Sequence, residues 1–413
     1  MATLVRRRHA AARKLRRDLH QYPELGFQEF ATAKRIASEL EAIGCRVRTG
    51  IGRTGVVGDL RGRSAAGPVV AVRSDMDALP IEETTGLPFA SRNPGVMHAC
   101  GHDAHMAIVV ATAAVLSQLR EQWSGLVRFI FQPSEEAPPG GAIEMIAAGV
   151  LKNPAVDTIF GLHTDPWIPV GKIGLKDGAM MAQTDDFDLI VTGKAGHGAR
   201  PHLGCDAVYI ASQVVSALQS IVSRNVDPLQ PAVLSIGRIV GGTARNIVAA
   251  EVRLEGTIRT LDLRETDRIR KRLSTVAQGT ARALGGSARI EYQAGYPVLL
   301  NDAAVNDYFR AAARAAYGSR AVVELTEPSM GGEDFAHYLE FAPGAMMRLG
   351  VRNPAVGAVH SWHHPQFTID EEALIVGCRI LTDAVLRRLA TSPASAVSTR
   401  APARRSSRKG RRG

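Results

Sequence analysis

Gly95–Met106 reads GVMHACGHDAHM, and the whole chain can be read outward from it. Between His98 and His105 the stretch holds three histidines, one cysteine and one aspartate, set between a strand-like run and an alanine-rich helical pattern. Thiolate and neutral imidazole are the donors a borderline-soft divalent ion prefers. Cys100 and His102 alternate, so an extended turn would aim both at one point. The competing reading is a polar turn around a buried cysteine.

The chain has 413 residues, more than one hydrophobic core usually organises, so two domains are expected. Hydrophobic residues at 45% and charged residues at 22% describe a globular chain and exclude a disordered or fibrous one. No apolar run approaches the roughly 20 residues of a membrane span. The N-terminal arginines are not followed by an apolar h-region, which favours a first amphipathic helix over a signal peptide and a cytoplasmic enzyme. Cys45, Cys100, Cys205 and Cys378 have no CxxC spacing and do not form a disulfide framework. The net charge is +10, but RAPARRSSRKGRRG at the end carries seven basic residues and no acid; removing them leaves +3. The basicity belongs to a polar tail, 391–413, expected to be disordered, and specific nucleic-acid binding is not expected.

Apolar residues recur with helical spacing from Phe30 to Ile43, with Gly44 as the C′ residue. Short strands follow at Val56–Leu60 and Val69–Val72, then a helix at Ala107–Leu119, a strand at Leu126–Phe131, part of a helix at Ile143–Ala148 and a strand at Thr158–Leu162. This alternation predicts an α/β fold with a mostly parallel sheet. Asp75 and Asp77 follow one strand, Glu135 and Glu136 another, and His163 a third; ligands of such sheets bind beyond the carboxyl ends of the strands. From about Asp185 the pattern changes to β-α-β-β-α-β, the ferredoxin-like order. The expected organisation is a split catalytic domain, 1–184 and 296–390, with an inserted α+β domain at 185–295.

QPSEEAPPGG places Glu135 and Glu136 side by side on a loop. Adjacent residues outside regular structure point in different directions, so one can bind metal while the other takes a proton from water; a solvated acidic patch is the alternative. His163 also fits a core histidine, and Asp75 and Asp77 also fit a turn or helix caps. His360, His363 and His364 are three candidates for one role. GKAGHGARPH is glycine-rich and basic but lacks the order of a phosphate-binding loop.

DLHQYPELGFQE, RSDMDALPIEE, GVMHACGHDAHMA, RFIFQPSEE, FGLH, GKAGHGARPH, GTIRT, MGGEDF and HHPQFTIDEEAL stand in the order seen in the aminoacylase and carboxypeptidase superfamily of co-catalytic metallohydrolases. The chain most closely resembles the amidohydrolase branch, with hippurate hydrolases and indole-acetyl-amino-acid hydrolases, from about Leu15 to Leu389. The resemblance implies two divalent ions per subunit, Mn²⁺ or Zn²⁺ first and Ni²⁺ or Co²⁺ second. Their ligands would be Cys100, His102, Glu136, His163 and His363, with Glu135 as general base and Asp77 steadying a ligand from behind. His197, Asn246 and Arg259 would contact substrate from the inserted domain, which would also serve as lid and dimerisation surface, lending His197 across a homodimer or higher homo-oligomer. Two departures stand out: IVAA follows Asn246 where the family usually has a proline-containing turn, and His360 and His364 compete with His363. The implied activity is hydrolysis of N-acyl-amino acids. A dipeptidase or N-acetyl-diamino-acid deacetylase would use the same site, and a non-catalytic binding protein would have no use for Glu135.

Overall fold

The computed structural model describes residues 1–391; the expected tail lies almost wholly outside them. Helices α1 (Ala2–Gln21) and α2 (Phe30–Ile43) lead into β1 (Arg46–Ile51), β2 (Gly55–Arg61) and β3 (Val69–Asp75). Then come α3 (His102–Gln118), β4 (Leu126–Gln132), α4 (Gly141–Ala147), β5 (Thr158–Pro169), β6 (Ile173–Leu175) and β7 (Gly178–Met181). A second run holds β8 (Gln183–Thr192), β9 (Gly196–His197), α5 (Ala207–Asn225), β10 (Ala232–Gly241), β11 (Ile247–Val248), β12 (Glu251–Thr260), α6 (Leu263–Ala283) and β13 (Ser287–Ala294). The chain closes with β14 (Leu299–Asn301), α7 (Ala303–Tyr317), β15 (Val322–Glu324), α8 (Ala336–Leu339), β16 (Gly344–Arg352) and α9 (Ala373–Ala390).

The large sheet has the order β1-β2-β4-β3-β5-β16-β6-β15. Its centre, β4-β3-β5-β16, is parallel, whereas β1, β2 and the β6–β16 pairing are antiparallel. Every residue of β3 and β4 is buried, which is why both read as mainly apolar, each interrupted by one arginine, and not as alternating apolar and polar residues. Helix α1 turns Val5, Ala12, Leu15 and Leu19 inward and leaves Arg6, Arg7 and Arg13 in solvent. Helix α3 is buried from His102 to Leu116 between α1, α9 and the sheet, so it shows almost no amphipathic periodicity.

The second run forms a four-stranded antiparallel sheet, β10-β12-β8-β13, with α5 and α6 packed on one face. This is the β-α-β-β-α-β order expected, and Asp206 and Asp262 cap the two helices by accepting from Val208 N and Arg264 N. Two local expectations need correction. The helix after the histidine motif begins at His102, not Ala107, so the motif's second half is helical and not an extended turn. Gly101 makes this possible with φ of 88°, a left-handed conformation between Cys100 and the helix. No helix among the described residues is long and apolar enough to cross a membrane.

Candidate metal centre

Parallel pairing sets the scene: Asp75 at the end of β3 stands opposite Gln132 at the end of β4, so the segments leaving both strands emerge together. The chain leaving β4 is held by three successive amides. Ser134 N–H donates to Glu29 Oε1 at 2.9 Å, Glu135 N–H to Asp77 Oδ1 at 2.9 Å and Glu136 N–H to Asp77 Oδ2 at 3.0 Å. Ser134 has a positive φ of 49°, a conformation that such a clamp must hold against its own cost. Asp77 therefore acts chiefly on the Glu135–Glu136 backbone. It is its carbonyl oxygen that accepts from His102 Nδ1, at 2.8 Å, while its carboxylate is 3.5 Å away from that nitrogen.

With Nδ1 donating, His102 Nε2 is the free lone pair, and it is buried without a hydrogen-bond partner. His163 repeats the device. Its Nδ1 donates to Thr164 O at 2.7 Å, and Nε2 is 3.4 Å from Cys100 Sγ. His102 Nε2 is also 3.7 Å from Glu136 Oε1, a second buried atom without a partner. His363 Nε2 is 3.5 Å from Glu136 Oε2. This histidine is turned inward by a left-handed backbone, φ 61°, and its N–H donates to Ala99 O at 2.9 Å. His360 and His364 instead stack on each other, ring centroids 4.3 Å apart.

Cys100, His102 and His163 bring ligand atoms within 4.8 Å of one another, and so do Cys100, Glu136 and His363. The two groups share Cys100, and His102, Glu135 and Glu136 form a third that joins them. Imidazole nitrogens aimed inward with their other nitrogen fixed, a thiol and an unpaired buried carboxylate oxygen suit divalent cations. The electrostatics agree with that donor set. Burial alone would lower the pKa of His102, but Asp75, Asp77 and Glu136 raise it to about 10. Burial, followed by Glu136 and Glu135, pushes the Cys100 thiol well above its ordinary range. The His102 shift reflects negative charge that a cation would neutralise, to which the Cys100 shift adds after its larger burial contribution.

His105 is in the same motif but is already satisfied, Nδ1 to Asp75 Oδ1 at 2.7 Å and Nε2 accepting from Thr164 N–H at 2.9 Å. Behind Glu135 stands a carboxylate cluster that sequence reasoning left without roles. Arg73 donates to Asp75 at 2.6 Å and to Asp334 at 2.7 Å and lies 3.1 Å from Glu333. Burial, then the charges of Glu333, Glu136 and Asp334, raise the pKa of Glu135 well above the usual range. Tyr296 OH fixes the same residue by donating to Glu135 O at 2.6 Å.

Cys100, Glu135, Glu136, His163 and His363 open on a cavity of about 330 Å³. Arg259 and Thr184 of the second sheet line it, as do Trp362 and Arg348, neither of which sequence reasoning singled out. Arg259 Nη1 donates to Met330 O at 3.0 Å. His197 and Asn246 are not brought there. Both are exposed at the two-stranded β9–β11 ribbon, where Gly198 N–H donates to Asn246 O at 2.7 Å. A larger hollow of about 460 Å³ on the second sheet is no rival, because its charges pair among themselves, Arg253 with Asp188 and Arg238 with Glu255.

Residues 71–387 match the profile described as Peptidase family M20/M25/M40. The chain is 42% identical over 384 residues to N-acetyl-L-cysteine deacetylase of Bacillus subtilis, covering 93% of this chain and 89% of that one. It is 40% identical over 368 residues to N-acetyldiaminopimelate deacetylase of a Geobacillus species, covering 89% and 95%. The solved structure of the Bacillus subtilis YXEP protein, described as a dinuclear metal binding peptidase from the M20 family, superposes with a TM-score of 0.80 at 39% identity, covering 92% of this chain and 99% of that one.

Proposed function

Because the chain belongs to Peptidase family M20/M25/M40 and is a metal-dependent amidohydrolase, we propose that it cleaves the amide of N-acyl-amino acids, hippurate-like compounds included, to a carboxylate and a free amino acid. One observation carries the reading: two adjacent glutamates leave one clamp in different directions. Both come near His102, Glu136 at 3.7 Å and Glu135 at 4.0 Å, but Glu136 goes on to His363 and Cys100, while Glu135 stands before Glu333 and Asp334. We assign Cys100, His102, Glu136, His163 and His363 as ligands of two divalent ions, Mn²⁺ or Zn²⁺ before Ni²⁺ or Co²⁺. Such ions supply Lewis acidity and bring the pKa of water from 15.7 toward about 7.

The protein's own groups do the rest. Glu135, its backbone held by Asp77 and Tyr296, takes the proton from the attacking water and returns it to the leaving nitrogen. Its raised pKa suits it to hold that proton. Arg259 offers its guanidinium fork to the amino acid's carboxylate. His197, on an exposed edge of the 185–295 insert and outside its own cavity, is suited to serve a neighbouring protomer of a homodimer. There it would donate to the carbonyl oxygen as negative charge develops, with Asn246 beside it. The protein would act in the cytoplasm, where its four free cysteines stay reduced.

The similarity to N-acetyl-L-cysteine and N-acetyldiaminopimelate deacetylases supports a second reading, removal of acetyl from an amino or diamino acid. A panel of N-acetyl and N-benzoyl amino acids and dipeptides, assayed before and after chelation with a count of bound metal, separates the readings. Chelation-sensitive cleavage of benzoyl-glycine at rates comparable to acetyl substrates is expected. Turnover of acetyl substrates alone would favour the second reading, and turnover of dipeptides alone would overturn both.

A further inference from the structure

Arg348 is 4% exposed, lines the catalytic cavity and stands opposite His163 in the β16–β5 register. Among the described residues its hydrogen-bond partner is a thioether, Met181 Sδ at 2.7 Å, a weak acceptor for a cation. Three other buried arginines pair with carboxylates, Arg16 with Asp103 at 2.8 Å, Arg73 with Asp75 at 2.6 Å and Arg128 with Asp59 at 2.8 Å, and a fourth, Arg388, donates to the oxygens of Thr158 at 2.7 Å and Thr391 at 3.2 Å. Asp165 helps Arg348 only through its charge, since its Oδ1 accepts from Trp167 N–H at 2.9 Å and Ile168 N–H at 3.3 Å. Burial lowers the pKa of Arg348 on balance, whereas at Arg73 the charges of Glu333, Asp75 and Asp334 outweigh burial and raise it.

One face of the guanidinium is covered by Trp362, 5.2 Å from carbon to ring centroid. That indole is held by its own N–H to Thr164 O at 3.0 Å and wedged against His163 and Trp167 at 5.3 and 4.5 Å. A ligand must therefore meet the guanidinium at its edge, where a planar carboxylate matches the fork. A buried guanidinium with no carboxylate in hydrogen-bond contact is costly, and an anionic ligand offsets that cost on binding.

Resting on the amide-hydrolase reading above, we propose that Arg348 receives a second carboxylate of the substrate, in addition to the one taken by Arg259. The preferred substrates are then N-acyl-amino acids with a further carboxylate, on the amino-acid side chain or on the acyl chain. Two matched pairs distinguish the sources: N-acetyl-glutamate against N-acetyl-glutamine, and N-succinyl-alanine against its terminal amide. Each is assayed for kcat/KM on metal-loaded full-length enzyme and for binding by calorimetry to the Glu135→Gln variant.

In one pair the acid is expected to exceed the amide by about 10²-fold, the upper worth of hydrogen bonds to a charged group. Arg348→Met should bring that ratio close to one, and Arg348→Lys, which keeps charge without the fork, should leave about a tenth of it. A merely structural role would lower both members of a pair together. Equal rates and affinities for acid and amide in both pairs, or a ratio unchanged in Arg348→Met, would overturn the proposal. Should Arg348→Met fail to fold, the ratio in Arg348→Lys decides. If no compound is hydrolysed, the function proposed above falls, while calorimetric preference for an acid, lost in the Arg348 variant, still upholds the carboxylate site.

Discussion

Glu135 and Glu136 share a peptide bond and differ in everything else, because the backbone between them is fixed by the two oxygens of Asp77. Glu136→Gln removes a charged oxygen from the group with Cys100 and His363, so bound metal should fall from two per chain when counted by atomic absorption. Glu135→Gln should retain both metals and lose at least about 10² in turnover. Equal metal loss in the two variants would remove the division of roles. Asp77→Asn keeps the size but turns a donor toward an amide that needs an acceptor. Loss of such an outer support typically costs about 10- to 100-fold in metal affinity or activity, and a metal titration unchanged by the substitution would refute the clamp.

Helix α3 carries the site at its first turn, and two features hold it there. Gly101 takes a φ of 88°, and a Cβ on it would lie 2.7 Å from Thr164 Oγ1. The left-handed conformation alone costs another residue about 1–2 kcal/mol, so Gly101→Ala should displace Cys100 from His102 and weaken metal binding about tenfold or more, measured by competition with a chelating dye. Deeper in the same turn Asp103 accepts from Arg16 Nε and His20 Nδ1, each at 2.8 Å, which ties α3 to α1. Burial opposes its charge, but Arg16 and His20 hold its pKa well below the usual carboxylate range. Arg16→Met would leave a buried, half-paired carboxylate and should cost about 3–5 kcal/mol of stability. Denaturant unfolding should record the same loss with and without metal; a loss confined to the metal-loaded protein would place Asp103 in the metal site.

At the scale of the molecule, the smaller sheet is tied to the catalytic floor on one side and left open on the other. Arg259 reaches Met330, and Tyr296, just after β13, reaches Glu135. His197 and Asn246 sit exposed at the two-stranded β9–β11 ribbon, away from their own cavity. If His197 serves a neighbour, mixing inactive His197→Ala with inactive Glu135→Gln protein should restore activity through hybrids holding one intact site, approaching a quarter of the wild-type level if exchange is random and protomers are equivalent. Exchange verified by mass-tagged protomers without recovered activity would assign His197 to its own chain or to another task.

The α/β class, the ferredoxin-like order of the second sheet and the acidic residues at strand ends were legible in the sequence, because period, strand-ending polar residues and capping aspartates are local properties. Close packing of chemically suitable residues in CGHDAH and SEE likewise made a metal site readable before any coordinates. Local pattern could not say that His105 is spent on Asp75 and Thr164, or that His363 turns inward while His360 and His364 stack apart. Nor could it single out Arg348, an arginine in the apolar strand MMRLGV that resembles Arg73 in VVAVRSD and Arg128 in LVRFIF. All three are buried on the same sheet, and only the neighbours brought by folding decide that two meet carboxylates while the third faces the cavity. The residue type and its burial are written in the chain; whether a buried charge is already paired depends on contacts between segments far apart in it, which tertiary structure alone supplies.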